Sequence, residues 1–192
     1  MTSPGILPRL KQETRQHHRV VERQLNLCDR SRTIHEYLSL LERLYGFYLP
    51  MESRLASVRG IGRLGLELDL RRKVPLLLSD LHVLGRDQCV VSDIALCDKL
   101  PKVDDVPQAL GCLYVLEGAT LGGQFIGREF EQRLGIHANH GGRFFASYGA
   151  AVAEKWKTFG AILTANAVGV DTQDTIVASG CATFDAFGCW LQ

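Results

Sequence analysis

The sequence predicts an all-α, single-domain protein. Apolar residues recur at three- and four-residue intervals almost throughout, and strict alternation over five or more residues is scarce. Helix-starting and helix-stopping residues also fall where that periodicity begins and ends. The 192 residues are 46% hydrophobic and 22% charged, enough for one globular domain with a sizeable core, and no internal repeat, low-complexity tract or linker divides positions 1–192.

A first helix is expected over residues 8–28, with Leu10, Thr14, His17 or His18, Val21 and Leu25 along one stripe and Pro8 in the first turn. Thr33 is the expected N-cap of a second helix, with Glu36 three residues on as its capping-box partner. Its stripe continues through Tyr37, Leu41, Leu44 and Tyr48, and Pro50 should bend or end it. Residues 60–65 read as a loop. A helix over 66–84 should be interrupted at Pro75, a weaker one covers 87–100, and 101–107 is a polar connection. The run from Gln108 to Leu134 is helical in period yet carries Gly111, Gly118, Gly122, Gly123 and Gly127. A loop over 135–142 and helices over 144–168 and 172–190 complete the chain.

Charge and composition exclude several functions. Twenty-two Lys and Arg against 21 Asp and Glu leave a net charge of +1 with no block of one sign, which disfavours binding nucleic acid or a membrane surface by charge alone. No uninterrupted apolar stretch reaches the roughly 18–20 residues of a bilayer span, and the N-terminus lacks a signal-like apolar core. The six cysteines (Cys28, Cys89, Cys97, Cys112, Cys181 and Cys189) form no C-x-x-C and no zinc spacing with histidine, so they read as reduced thiols of a cytoplasmic protein.

Two segments could carry chemistry. Each glycine inside a helix costs on the order of 1 kcal/mol against alanine, so Gly118, Gly122, Gly123 and Gly127 require compensation. Close helix packing is one explanation; a flat ligand lying against bare backbone is the other. A phosphate-binding loop is excluded because no Gly-Lys-Ser/Thr ending follows. The second segment is Leu10-Lys-Gln-Glu-Thr-Arg-Gln-His-His-Arg-Val-Val-Glu22. Helix neighbours diverge by about 100°, so only one of His17 and His18 can face a given pocket, and Glu22 lies on the same face as His18. Imidazole is a common axial ligand for haem iron.

Leu10-Lys11-x-x-Thr14-x-x-x-His18-x-x-x-Glu22, the run Leu113-Tyr-Val-Leu-Glu-Gly-Ala-Thr-Leu-Gly-Gly-Gln124 and the spacing between them resemble the haem oxygenases, particularly compact bacterial ones associated with bacteriophytochromes. The resemblance extends over the whole length, including Tyr148 and Trp156-Lys157. It implies a multi-helix fold with haem sandwiched between a proximal N-terminal helix and a glycine-rich distal helix. It assigns His18 as the iron ligand, Glu22 as its hydrogen-bonding companion, and Gly118 and Gly122 as the bend over the ring. Thr14 and Gly123 belong to the same binding set. Lys11 matches a propionate partner, with Tyr148 and Lys157 as further propionate contacts. Haem b is then both substrate and prosthetic group, opened with O2 and reducing equivalents to biliverdin, CO and Fe2+, with the IX-alpha isomer expected. The implied partners are a ferredoxin, flavodoxin or flavin reductase as electron donor, and a bacteriophytochrome as recipient of the product.

Two departures stand out. Ala119 occupies the position of the distal aspartate of animal-type enzymes, and Leu113 that of a propionate-contacting tyrosine, which Tyr114 could replace. The missing acid motivates an alternative, a non-degrading haem carrier or sensor on the same fold. A di-iron bundle is disfavoured because no pair of Glu-x-x-His motifs exists. His35, His82, His137 and His140 read as ordinary surface or loop residues.

Overall fold

The computed structural model describes residues 5–25 and 33–192; Cys28, and with it the expected end of the first helix, lies outside the described residues. The fold is all-α, with no strand among the described residues. In chain order the α-helices are α1 (Ile6–Glu13), α2 (Arg15–Leu25), α3 (Ile34–Ser57), α4 (Leu68–Arg71), α5 (Val74–Val83), α6 (Gln88–Ser92), α7 (Val106–Leu134), α8 (Arg143–Ala146), α9 (Val152–Asn166) and α10 (Val170–Trp190).

The expected first helix is two, joined at Thr14, which is buried and turns its hydroxyl back to the Leu10 carbonyl at 2.7 Å. Such back-bonding bends a helix, and here it gives α2 a direction of its own. α3 starts as expected: Thr33 Oγ1 accepts the Glu36 N–H at 3.2 Å and Glu36 Oε2 accepts the Thr33 N–H at 2.9 Å.

Of the two outcomes expected at Pro50, a bend or an end, the helix does not end there. A proline leaves the carbonyl four residues earlier without its donor, and here that carbonyl belongs to Gly46, which instead accepts the Cys97 N–H at 2.9 Å. A donor from a distant segment therefore carries the helix through to Ser57.

Pro75 likewise starts a helix instead of interrupting one. It sits in the first turn of α5, where its missing N–H has no helical partner to lose. Glu52 reaches across from α3 and accepts the Lys73 and Val74 N–H groups at the start of that turn. The helix expected over 87–100 shrinks to the single turn of α6, capped by Asp87. The helix expected over 144–168 is broken at Ser147, where φ is +46°. Its first piece, α8, is capped from a distance: the buried Asp80 carboxylate of α5 accepts the Arg143 and Phe144 N–H groups, both at 2.8 Å.

α7 is one unbroken helix of 29 residues, capped by Asp105 at its start and by left-handed Gly135 at its end. It is long and apolar enough to cross a membrane by composition, with 56% of that window buried inside the fold. α10, α8 and α9 pack around it. Gly111 lets α10 come into backbone contact: a Cβ there would fall inside the Ile176 carbonyl oxygen and against Ser179 and Gly180. The facing Gly180 leaves room for Leu10 and Thr14 of the α1–α2 junction. At the other end, Tyr37, Phe130 and Phe145 form a buried aromatic cluster, and the Tyr37 hydroxyl donates to the Gly141 carbonyl at 2.7 Å.

A candidate haem slot between two helices

The candidate residues lie on two helices, α2 and α7, that both pack against α10. Burial raises the Tyr114 phenol on α7, with Thr14 of the α1–α2 junction close enough to oppose that shift. One helical turn further on each chain segment come Gly118 and His18. Trp156 of α9 packs against Tyr114, its ring tilted by 49° with centroids 5.7 Å apart, and lies 3.7 Å from where a Gly118 Cβ would stand. At Gly122, a turn beyond, nothing lies within 4 Å of that position. Gly122 and the neighbouring Ala119, Leu121 and Phe125 are exposed, so the helix presents bare backbone edged by apolar side chains.

The structure distinguishes the two neighbouring histidines. The His17 Nδ1 lies 2.6 Å from Asp185 Oδ1 and ties α2 to α10. His18 points away from that tie with its side chain 54% exposed, its ring edge-on to Phe184 at 5.5 Å and its Nδ1 3.2 Å from Glu22 Oε2. A carboxylate at Nδ1 favours the tautomer with the proton there and leaves the Nε2 lone pair available to a metal. Lys11 and Lys157 are exposed and free to meet an anionic group. Gly123, in contrast, is buried against the Phe145 backbone, with the Phe145 carbonyl oxygen 3.4 Å from its missing Cβ, so it serves the approach of α8.

Tyr148 has partners that sequence reasoning did not supply. Its hydroxyl accepts from Lys73 Nζ at 2.7 Å and donates to Glu117 Oε1 at 2.8 Å, and Lys73 Nζ also stands 4.0 Å from the centroid of its ring. Glu117 binds Arg71 through its other oxygen, and Lys73 lies 3.6 Å from the first. The side chains of Arg71, Lys73 and Glu117 are 4%, 4% and 3% exposed. Burial pushes the Lys73 ammonium below its ordinary range against the pull of Glu117, and pushes the Tyr148 phenol above its own, in the same direction as the nearby carboxylate. No local pattern announces this cluster: Asp69-Leu-Arg-Arg-Lys73 reads as a solvated stretch, and its carboxylate lies 46 residues beyond Arg71. Trp156 and Phe184 were also missed as slot residues, since each reads as core at helical spacing.

The residues fit a flat, iron-bearing macrocycle: an accessible imidazole, a glycine face without side chains, and apolar edges. The described residues contain no cluster of three or more His, Cys, Asp or Glu that could hold a bare metal ion.

Comparison with known proteins agrees with this geometry. The haem oxygenase family (Heme oxygenase) matches residues 5–192. No curated protein matches the chain. Among solved structures, the NO- and CO-bound haem oxygenase from Neisseria meningitidis superposes with a TM-score of 0.83 at 20% identity, covering 98% of this chain and 91% of that one. At that identity the likeness speaks for the fold. The family match spans nearly the entire chain, and the protein belongs to the haem oxygenase family, whose members are enzymes that degrade haem.

Proposed function

We propose that the slot binds haem b with His18 as the proximal iron ligand, and that the protein opens the ring to biliverdin, CO and Fe2+. The observation that carries this reading is the pairing of an accessible His18 with the unobstructed Gly122 face, on two helices that both pack against α10. The haem supplies the oxygen chemistry and is itself consumed.

The chain's own residues do the rest. Glu22 holds the Nδ1 proton of His18 and so orients the ring and its Nε2 lone pair. Gly118 and Gly122 let the α7 backbone approach the macrocycle, with Trp156 and Phe184 excluding water at its sides. Thr14 fixes the base of the slot. Lys11 and Lys157 receive the propionates and thereby set the in-plane rotation that selects the IX-alpha edge. Tyr148 is drawn behind α7 by Lys73 and Glu117 and acts there. Gly123 contributes by seating α8. Electrons come from a ferredoxin, flavodoxin or flavin reductase, and a bacteriophytochrome receives the biliverdin. We place this activity in the cytoplasm, where the free cysteines at 89, 97, 112, 181 and 189 stay reduced.

An absorption time course tests this. Purified protein with stoichiometric haemin should give a sharp Soret band that decays to biliverdin and CO when ascorbate or a ferredoxin system is added in air. A band that survives reductant and oxygen would support the carrier or sensor suggested by Ala119. His18→Ala should abolish the native band and turnover, whereas His17→Ala should retain both and lose only the tie to Asp185, about 0–1 kcal/mol for a surface pair. The reverse result would transfer the ligand role to His17.

A further inference from the structure

Four of the ten residues from Gly118 to Gly127 are glycines, so this stretch of α7 has few side chains with which to fix its own position. The residue just before it, Glu117, is a buried carboxylate tied to three side chains from other segments. It is turned about 100° round the helix from Gly118 and holds Arg71 from α4, Lys73 from the start of α5 and Tyr148 from the turn between α8 and α9. Arg71 extends the cluster to α9 by donating to the Lys155 carbonyl at 3.5 Å, beside Trp156. The elements carrying Gly118 and Trp156 are thus joined through one buried group.

The cluster is built to hold position. Removing one partner of a buried ion pair leaves the other charged and desolvated, so the pair opposes separation of the segments that carry it. Lys73 also donates to the Arg71 carbonyl at 2.6 Å, and Gln124 donates to the Gly149 carbonyl at 2.6 Å, a second tie from α7 to the Tyr148 turn. That turn is strained: Ser147 has φ +46° and a buried hydroxyl without a partner.

We propose that Glu117 is a positioning residue which, through Arg71, Lys73 and Tyr148, sets the height of the α7 backbone at Gly118 and Gly122 above the haem ring. This rests on the haem oxygenase reading. It assigns to a charge behind the helix the ordering of the distal wall that a side chain at 119 cannot provide here, because Ala119 carries no polar group. Tyr148 serves as the adjustable member, since its hydroxyl bridges Lys73 and Glu117, which stand 3.6 Å apart.

The test uses the full chain with Tyr148→Phe and Glu117→Gln. Tyr148→Phe keeps the ring over Lys73 and removes only the hydroxyl, so it should fold and bind haem with the wild-type Soret band and affinity. Turnover should fall about 10- to 100-fold, the size of effect that outer partners of a metal site exert. The C–O stretch of the ferrous CO complex should shift, the biliverdin should become a mixture of isomers, and amide hydrogen exchange in the haem-free protein should quicken across residues 118–124. Glu117→Gln should move the same quantities further; if it does not fold, Tyr148→Phe decides alone. An unchanged C–O stretch and isomer ratio, with only a lower Tm, would overturn the positioning role while leaving the enzyme assignment intact. Wild-type protein that gives no Soret band would instead overturn the haem oxygenase reading and this inference with it.

Discussion

Gly111, Gly118 and Gly122 stand within about 40° of one another on a single face of α7, yet their surroundings differ completely. At Gly111 the α10 backbone occupies the space of a Cβ; at Gly118 the edge of Trp156 is 3.7 Å away; at Gly122 nothing lies within 4 Å. The first glycine allows two helices to touch, and the last leaves a surface for something else to touch. A helix can therefore be closed at one glycine and open at another, and a glycine-rich sequence does not by itself say which is which.

The contrast is sharpest in mutants. Gly111→Ala should be the most damaging, because the obstruction is backbone and cannot swing aside. A loss of about 2–3 kcal/mol, or a Tm lower by roughly 5–10 °C in the haem-free protein, is expected. Gly122→Leu should behave oppositely, gaining up to about 1 kcal/mol of helix propensity in the haem-free melt while abolishing the haem spectrum. A Gly122→Leu protein that binds and turns over haem normally would remove this face from the slot, and a neutral Gly111→Ala would mean that the helix crossing is looser than it stands.

Smaller effects probe the reverse situation, where the backbone favours glycine and the sequence has another residue. Ser147→Gly relieves the left-handed φ and the orphaned hydroxyl, so the Tm should rise by about 2–4 °C, equivalent to about 1 kcal/mol. The smallest expected change concerns pH. Burial raises the Glu52 carboxyl above its ordinary 4.5, against the opposing N–H groups of Lys73 and Val74 and the Arg72 guanidinium. The folded chain then holds this proton more tightly than the unfolded one, so stability falls as pH climbs from 4.5 through the raised value and is flat above it. Glu52→Gln should flatten that part of a Tm–pH profile, leaving a similar contribution from Asp80, which burial also raises.

Much of this arrangement was legible in the sequence where the cause is local. The Thr33–Glu36 capping box and the helical period from 108 to 134 depend on neighbours within a turn or two and form as read, while the stretch read as a loop at 60–65 holds a 3-10 turn over Ile61–Leu64 between left-handed Gly60 and Gly65. The glycine run and the His18–Glu22 spacing are the sequence features on which the proposed slot is built. Distant partners were not legible. Pro50 stays helical because of Cys97, α8 is capped by Asp80, and Glu117 is balanced by Arg71 and Lys73; in each case the deciding group is at least 44 residues away. The glycine pattern also could not separate Gly111 and Gly123, which admit neighbouring backbone, from Gly122, which admits none.

The proline in α3 has an engineering consequence. By withholding its own N–H, Pro50 makes the Gly46 carbonyl an exported acceptor, and the irregular segment after α6 is attached to the helix through it. Position 50 and that segment are therefore one unit of design. Replacing the proline by alanine would set two donors in competition for one oxygen, and trimming or grafting the segment around Cys97 would strand that oxygen, unless both edits were made together.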